Sequence, residues 1–196
     1  MVWISSVASL YECLSNLLVT RQDQLVPVDE AFDTLYELTD QIRQEKRVIY
    51  FIGNGASASM ASHYSADLAK NGKLHTQVLT DLSLITAVSN DIHYHQVFSE
   101  PLKYRIRPKD MLIAISSSGN SPNILEGVKT ALEFGATVIT LSAMKEDNHL
   151  RKVGHLNFYI KTKAYGMSET GHNAILHHWI DLMMENEQME NEQKVW

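Results

Sequence analysis

A chain of 196 residues with 44% hydrophobic and 20% charged side chains is long enough for one well-buried domain and short for two. Its formal charge of −6 argues against sequence-independent nucleic-acid binding, and no apolar run nears the roughly 18–20 residues of a membrane span. The single cysteine, Cys13, excludes an intramolecular disulfide framework and suits a cytoplasmic protein; the N-terminal "MVWISSVASLYECLSNLL" has no basic n-region and carries Glu12, unlike a signal peptide.

Residues 3–19 and 28–45 place apolar side chains at helical spacing, with Ala31, Leu35 and Leu38 along one face of the second stretch. The Pro-containing "RQDQLVPVD" separates them. The expected organisation is a single domain over 1–196: a helical extension over 1–45, an α/β core over 46–188, and a Glu/Asn/Gln-rich tail over 189–196 that reads as a frayed helix end. In the core, β-rich runs at 47–52, 76–80, 111–116, 137–141 and 156–160 alternate with helical patterns at 57–70, about 95–104, 121–134 and 168–188. That alternation predicts an α/β fold: a doubly wound, parallel, five-stranded sheet with helices on both faces and ligands beyond the carboxyl ends of its strands.

Two loops at those ends carry the chemistry. In "FIGNGASASMASHYSADLAK" (51–70) an apolar run meets Gly53 and Gly55. Gly53-x-Gly55-x-x-Ala58 formally fits a dinucleotide fingerprint, with Asp81 as the ribose-binding acid, but a turn against a single sugar phosphate needs the same glycines. The second loop, "ISSSGNSPN" (115–123), sets Ser116, Ser117, Ser118 and Ser121 around Gly119, with Ser121 as N-cap and Pro122 at the first helical position. Hydroxyls and free N–H groups at a helix N-terminus can wrap a phosphate dianion without a lysine. A nicotinamide fold has no need of this second cradle, whereas a plain Ser-rich turn capping a helix is the ordinary alternative.

The stretches "GNGASASMASHYSADL", "LTDLSLITAVSND" and "ISSSGNSPNILEGVKTALEFGATVITLS" resemble sugar isomerase (SIS) domains, specifically those of the phosphoheptose isomerases, over about residues 30–185. The resemblance implies a flavodoxin- or Rossmann-like SIS fold and a ketose–aldose isomerase. Such an enzyme converts sedoheptulose 7-phosphate to D-glycero-D-manno-heptose 7-phosphate through an enediol, for heptose and surface-glycan biosynthesis. It further implies phosphate binding by Ser57, Ser116, Ser117, Ser118 and Ser121, with Asn54, Gly55, Asp91 and Glu169 also on the substrate.

Isomerisation needs a base over C1 and C2 and a second acid/base group for the hydroxyl proton. His63 and Asp67, four residues apart, share a helix face; Glu169 and His177, eight apart in "GMSETGHNAILHHWIDL", come to similar azimuths two turns apart. By the resemblance, Asp67 is the base and His177 its catalytic partner, and His63, Asp67, Glu169 and His177 hold one zinc ion per subunit of a homotetramer whose N-terminal helices pack between subunits. Two imidazoles and two carboxylates suit zinc chemically as well. The chain departs from the family where its usual glutamate base is Asp67, a common arginine is Asn71, and a frequent aspartate is Gly166. His63 alone also reads as a packing histidine, and Asp67 and Glu169 as solvated charges; His93, His95, His172 and His178 read as structural or subunit-contacting. Two other functions compete: a non-catalytic SIS regulator that binds a phosphosugar or a replication initiator, and an NAD-dependent dehydrogenase resting on Gly53, Gly55 and Ala58 alone.

Overall fold

Strands and helices alternate as expected in the computed structural model, which describes residues 2–193, with side chains through 186. In chain order the elements are α1 (Trp3–Ser15), β1 (Leu18–Arg21), β2 (Gln24–Val26), α2 (Val28–Gln44), β3 (Val48–Gly53), α3 (Ala56–Lys70), β4 (His75–Val78) and α4 (Leu82–Asp91). There follow α5 (Ser99–Arg105), β5 (Met111–Ser116), α6 (Pro122–Glu133), β6 (Thr137–Ala143), β7 (Leu156–Ile160) and α7 (Tyr165–Gln193). The sheet runs β2-β1-β7-β6-β5-β3-β4. Strands β3 to β7 pair in parallel, as read from the sequence. Chain order reverses between β3 and β5, so the topological switch point, where open α/β sheets take their ligands, lies at the ends of those two strands.

The sheet has seven strands rather than five. The first expected helix stops at Ser15, and the chain then makes an antiparallel hairpin whose strand β1 pairs with β7. Gln22 and Asp23 form its two-residue turn with φ of 51° and 61°, the left-handed pair that suits the twist of a hairpin. A helix that was not anticipated, α4, covers "LSLITAVSND". Asp81 caps it, accepting from the Leu84 amide at 2.8 Å, so this carboxylate has a structural task in place of ribose binding. The last helix begins at Tyr165 rather than 168 and extends to Gln193, taking in part of the expected tail, while 194–196 lie outside the described residues.

Period-two alternation sends the side chains of β5 to two cores. Met111, Ile113 and Ile115 face α2, α3 and α7, whereas Leu112 and Ala114 face α5 and α6. Burial of each methionine, isoleucine or leucine among them contributes roughly 1.5–3 kcal/mol. Buried Trp179 of α7 donates its indole N–H to Thr39 Oγ1 of α2 at 3.0 Å, fixing the long helix against its neighbour. The rotation of α7 is thereby set, and with it the direction of Glu169 and His177.

Candidate active site

At the end of β3 the chain must turn sharply into α3. A Cβ on Gly53 would lie 2.5 Å from the carbonyl oxygen of Ser57, so only glycine lets the first turn of the helix fold back onto the strand. Asn54 is then clamped: its carboxamide and that of Asn123 on α6 exchange two hydrogen bonds of 2.9 Å, and the Tyr94 hydroxyl donates to Asn54 Oδ1 at 3.3 Å. This amide pair joins the two loops into one site.

The second loop leaves β5 at Ser116 and reverses at Gly119, which has φ of 62°. A Cβ there would overlap the carboxamide of Asn148. Buried Asn148 is itself held by donation to the carbonyls of Ala143 (3.2 Å) and Lys145 (2.8 Å), and the Leu150 amide donates to the Gly119 carbonyl at 2.9 Å. Ser121 occupies the N-cap position of α6, yet its hydroxyl makes no capping bond and instead meets Ser116 Oγ at 3.3 Å. The serine hydroxyls therefore converge on a shared space. That space is a cleft of about 160 Å³ lined by Ser116, Ser117, Ser118, Ser121, Ser57 and Asn54, with Tyr165 and Glu169 of α7 across it and no lysine or arginine in its wall.

A second cluster forms where α3 packs on α7. His63 Nε2 stands 3.3 Å from Asp67 Oδ2, and the ring of His177 lies 5.8 Å from that of His63, centroid to centroid. Buried Tyr64 sits edge-on to both imidazoles, at 4.9 and 5.0 Å. Burial first, and the negative charge of Asp67 second, push its phenol up to about 12, so it is a neutral hydrogen-bond donor at ordinary pH.

The structure thus divides the expected residues. Asn54, Ser57, the four loop serines and Glu169 share the cleft, while His63, Asp67 and His177 gather on the neighbouring helix contact. Gly55 lies exposed at the N-cap of α3 with φ of 56°, and Asp91 ends α4, exposed, its carboxylate accepting from Asn90 at 2.8 Å; neither lines the cleft. Among the described residues no three of His, Cys, Asp and Glu converge closely enough to hold a metal ion as they stand: Glu169 lines the serine cleft, His63 and Asp67 are in contact at 3.3 Å, and the His177 ring lies 5.8 Å from that of His63. His172 is fully buried with Nε2 3.2 Å from the Ser142 carbonyl, His178 packs edge-on to Phe32 at 4.5 Å, and His93 and His95 pair their rings at 4.3 Å. Sequence reasoning missed Tyr165, Asn123 and Asn148. Only the first had a local signal, an aromatic residue one helical turn before Glu169.

Known proteins share this fold. A family model for the SIS domain matches residues 13–143. The phosphoheptose isomerase of Campylobacter concisus (strain 13826) is 33% identical over 146 residues, which is 71% of this chain and 76% of that protein. That of Geobacter sp. (strain M21) is 28% identical over 174 residues, 86% of this chain and 88% of its own. The solved phosphoheptose isomerase of Neisseria gonorrhoeae superposes with a TM-score of 0.80 at 26% identity, covering 92% of this chain and 95% of that one. With its serine loop at the switch point and this likeness along most of its length, the chain belongs to the SIS-domain family, among the phosphoheptose isomerases.

Proposed function

We propose that the chain is a ketose–aldose isomerase that converts sedoheptulose 7-phosphate to D-glycero-D-manno-heptose 7-phosphate in the cytoplasm, for heptose and surface-glycan biosynthesis. The observation that carries this reading is the serine cleft facing α7. A phosphate dianion there is stabilised by hydroxyls, backbone N–H groups and the N-terminal end of α6, since the wall holds no cationic side chain. With the phosphate held, the sugar extends along α7, which carries Glu169 at the cleft and His177 about 12 Å further along the helix axis.

In this reading Asp67 removes the proton from C1 or C2 and returns it to the other carbon of the enediol, while His177 moves the proton between the two oxygens. Groups of this kind typically contribute about 10²–10⁴-fold each. His63 orients Asp67 through its 3.3 Å contact. The donor set of His63, Asp67, Glu169 and His177 suits zinc by its chemistry, and His177 and Glu169 would both have to draw in towards the His63–Asp67 pair to complete it. A bound ion would supply Lewis-acid polarisation of the sugar oxygens.

We further propose a homo-oligomer, a tetramer by family resemblance, with α1 between subunits. Its support is an unpartnered apolar face: Trp3, Ile4 and Tyr11 are 80%, 68% and 72% exposed. Among the described residues no helix is long and apolar enough to cross a membrane.

The test is NMR observation of sedoheptulose 7-phosphate with the purified protein and with His177→Ala. Conversion by the first and none by the second, with substrate still bound, is the expected result. Undiminished turnover by His177→Ala would remove His177 from the mechanism, and binding without conversion by the native chain would favour a phosphosugar-binding regulator.

A further inference from the structure

Along α7, Glu169, Asn173 and His177 follow one another at four-residue intervals and share a face. The middle residue of this stripe is the one that is bonded to α3. The Tyr64 hydroxyl donates to Asn173 Oδ1 at 2.8 Å, and the carbonyl oxygen of Asn173 lies 3.0 Å from the same hydroxyl. Asn173 Nδ2 in turn donates to the carbonyl of Glu169 at 3.1 Å. On the α3 side, Tyr64 directly follows His63 and precedes Asp67 by three residues. Its ring packs against both imidazoles, tilted 65° to His63 and 80° to His177, while the two imidazoles also meet each other at 5.8 Å.

A fully buried phenol bonded across a helix contact is a strut of fixed length. Parting the helices would leave the buried hydroxyl without a partner, at about 1–3 kcal/mol, and would strip Asn173 Oδ1 of its donor. We propose that the Tyr64–Asn173 bond is a latch that sets the spacing between the acid/base groups of α3 and those of α7. Asp67 has a single methylene between backbone and carboxylate, so side-chain extension cannot make up a helix displaced by a fraction of an ångström. Tyr64 and Asn173 are positioning residues: the serine cleft is lined by neither of them.

This inference rests on the proposed isomerase reading, and two measurements separate the failure of one from that of the other. The first is steady-state kinetics of Tyr64→Phe, Asn173→Ala and the double variant. Tyr64→Phe keeps the ring and the core volume, so kcat is expected to fall about tenfold with KM unchanged, the phosphate cradle being untouched. The double variant is expected to be no slower than the worse single, because both remove one bond. Native kcat in Tyr64→Phe, or losses that multiply in the double variant, would overturn the latch while leaving the isomerase intact. The second measurement needs no turnover: the imidazole resonances of His63 and His177, compared by NMR between the native chain and Tyr64→Phe. They are expected to move together, and unchanged resonances in a folded variant would overturn the latch even if the native chain proved inactive on the heptulose phosphate.

Discussion

His172 makes a prediction whose size can be worked from its surroundings. It is fully buried on α7, with Nε2 3.2 Å from the Ser142 carbonyl and Nδ1 without a partner among the described residues. Burial lowers its pKa from 6.5 to about 4, and the contact with Ser142 only partly opposes this. Below 6.5 the unfolded chain therefore takes up a proton that the folded chain refuses. The stability due to this neutral imidazole is fully present above about pH 6.5 and is lost as pH falls towards 4. Between about pH 8 and pH 5 the loss is roughly 2 kcal/mol, reaching about 3 kcal/mol below pH 4. The assay is urea unfolding at the two pH values, at one protein concentration, for the native chain and for His172→Gln, which keeps a donor for Ser142 and cannot titrate. With a denaturant slope of about 2 kcal/mol per molar, the native midpoint should drop about 1 M further than that of the variant. Parallel drops in the two chains would refute the assignment of acid sensitivity to this residue.

Gly119→Ala combines a left-handed φ of 62° with overlap on Asn148, so the serine loop has to move. Calorimetry with the sugar phosphate should show affinity falling at least tenfold, and stability should fall by about 1–3 kcal/mol. Trp3→Asp together with Tyr11→Asp places charge on the exposed face of α1, 80% and 72% exposed at those residues, and should lower the oligomeric mass in sedimentation while leaving the monomer fold intact. An unchanged mass would locate the subunit contact elsewhere.

The parallel core was legible because each of its strands is a short β-rich run bounded by helix signals, and burial on both faces makes such runs continuous, as in "MLIAIS" of β5. The hairpin was hidden for a specific reason. Its turn residues, Gln22 and Asp23, adopt the left-handed conformations that Asn-Gly would advertise, and its strands are only four and three residues long. What fixes β1 is pairing with β7 across more than a hundred residues, from Leu18↔Tyr159 to Thr20↔Asn157, and no local pattern reports such a partner. For α4 the signal was present in Asp81 followed by an apolar run, but that carboxylate also fitted a dinucleotide reading, and only its bond to the Leu84 amide decides between them.

The site divides along the same line. A phosphate cradle is made of consecutive residues, because loop backbone and helix N-terminus supply the donors together; "ISSSGNSPN" therefore shows its chemistry in nine letters. Acid/base groups are different, since a carboxylate and an imidazole on separate helices mean nothing until the helices are placed. The pairs that hold the loops and the helices in place are invisible in the sequence: Asn54 and Asn123, which join the two loops, are 69 positions apart, and Tyr64 and Asn173, which join α3 to α7, are 109 apart. Neither pair has a motif, and each is recognisable only as a buried side chain, Asn123 or Tyr64, bonded to a half-buried one. Burial makes such pairs restrictive, because a polar group removed from water tolerates few alternative partners. A chain of this kind can thus carry a legible phosphate loop and still differ from its relatives in rate or substrate, through the unadvertised bonds that set how far Asp67 stands from His177.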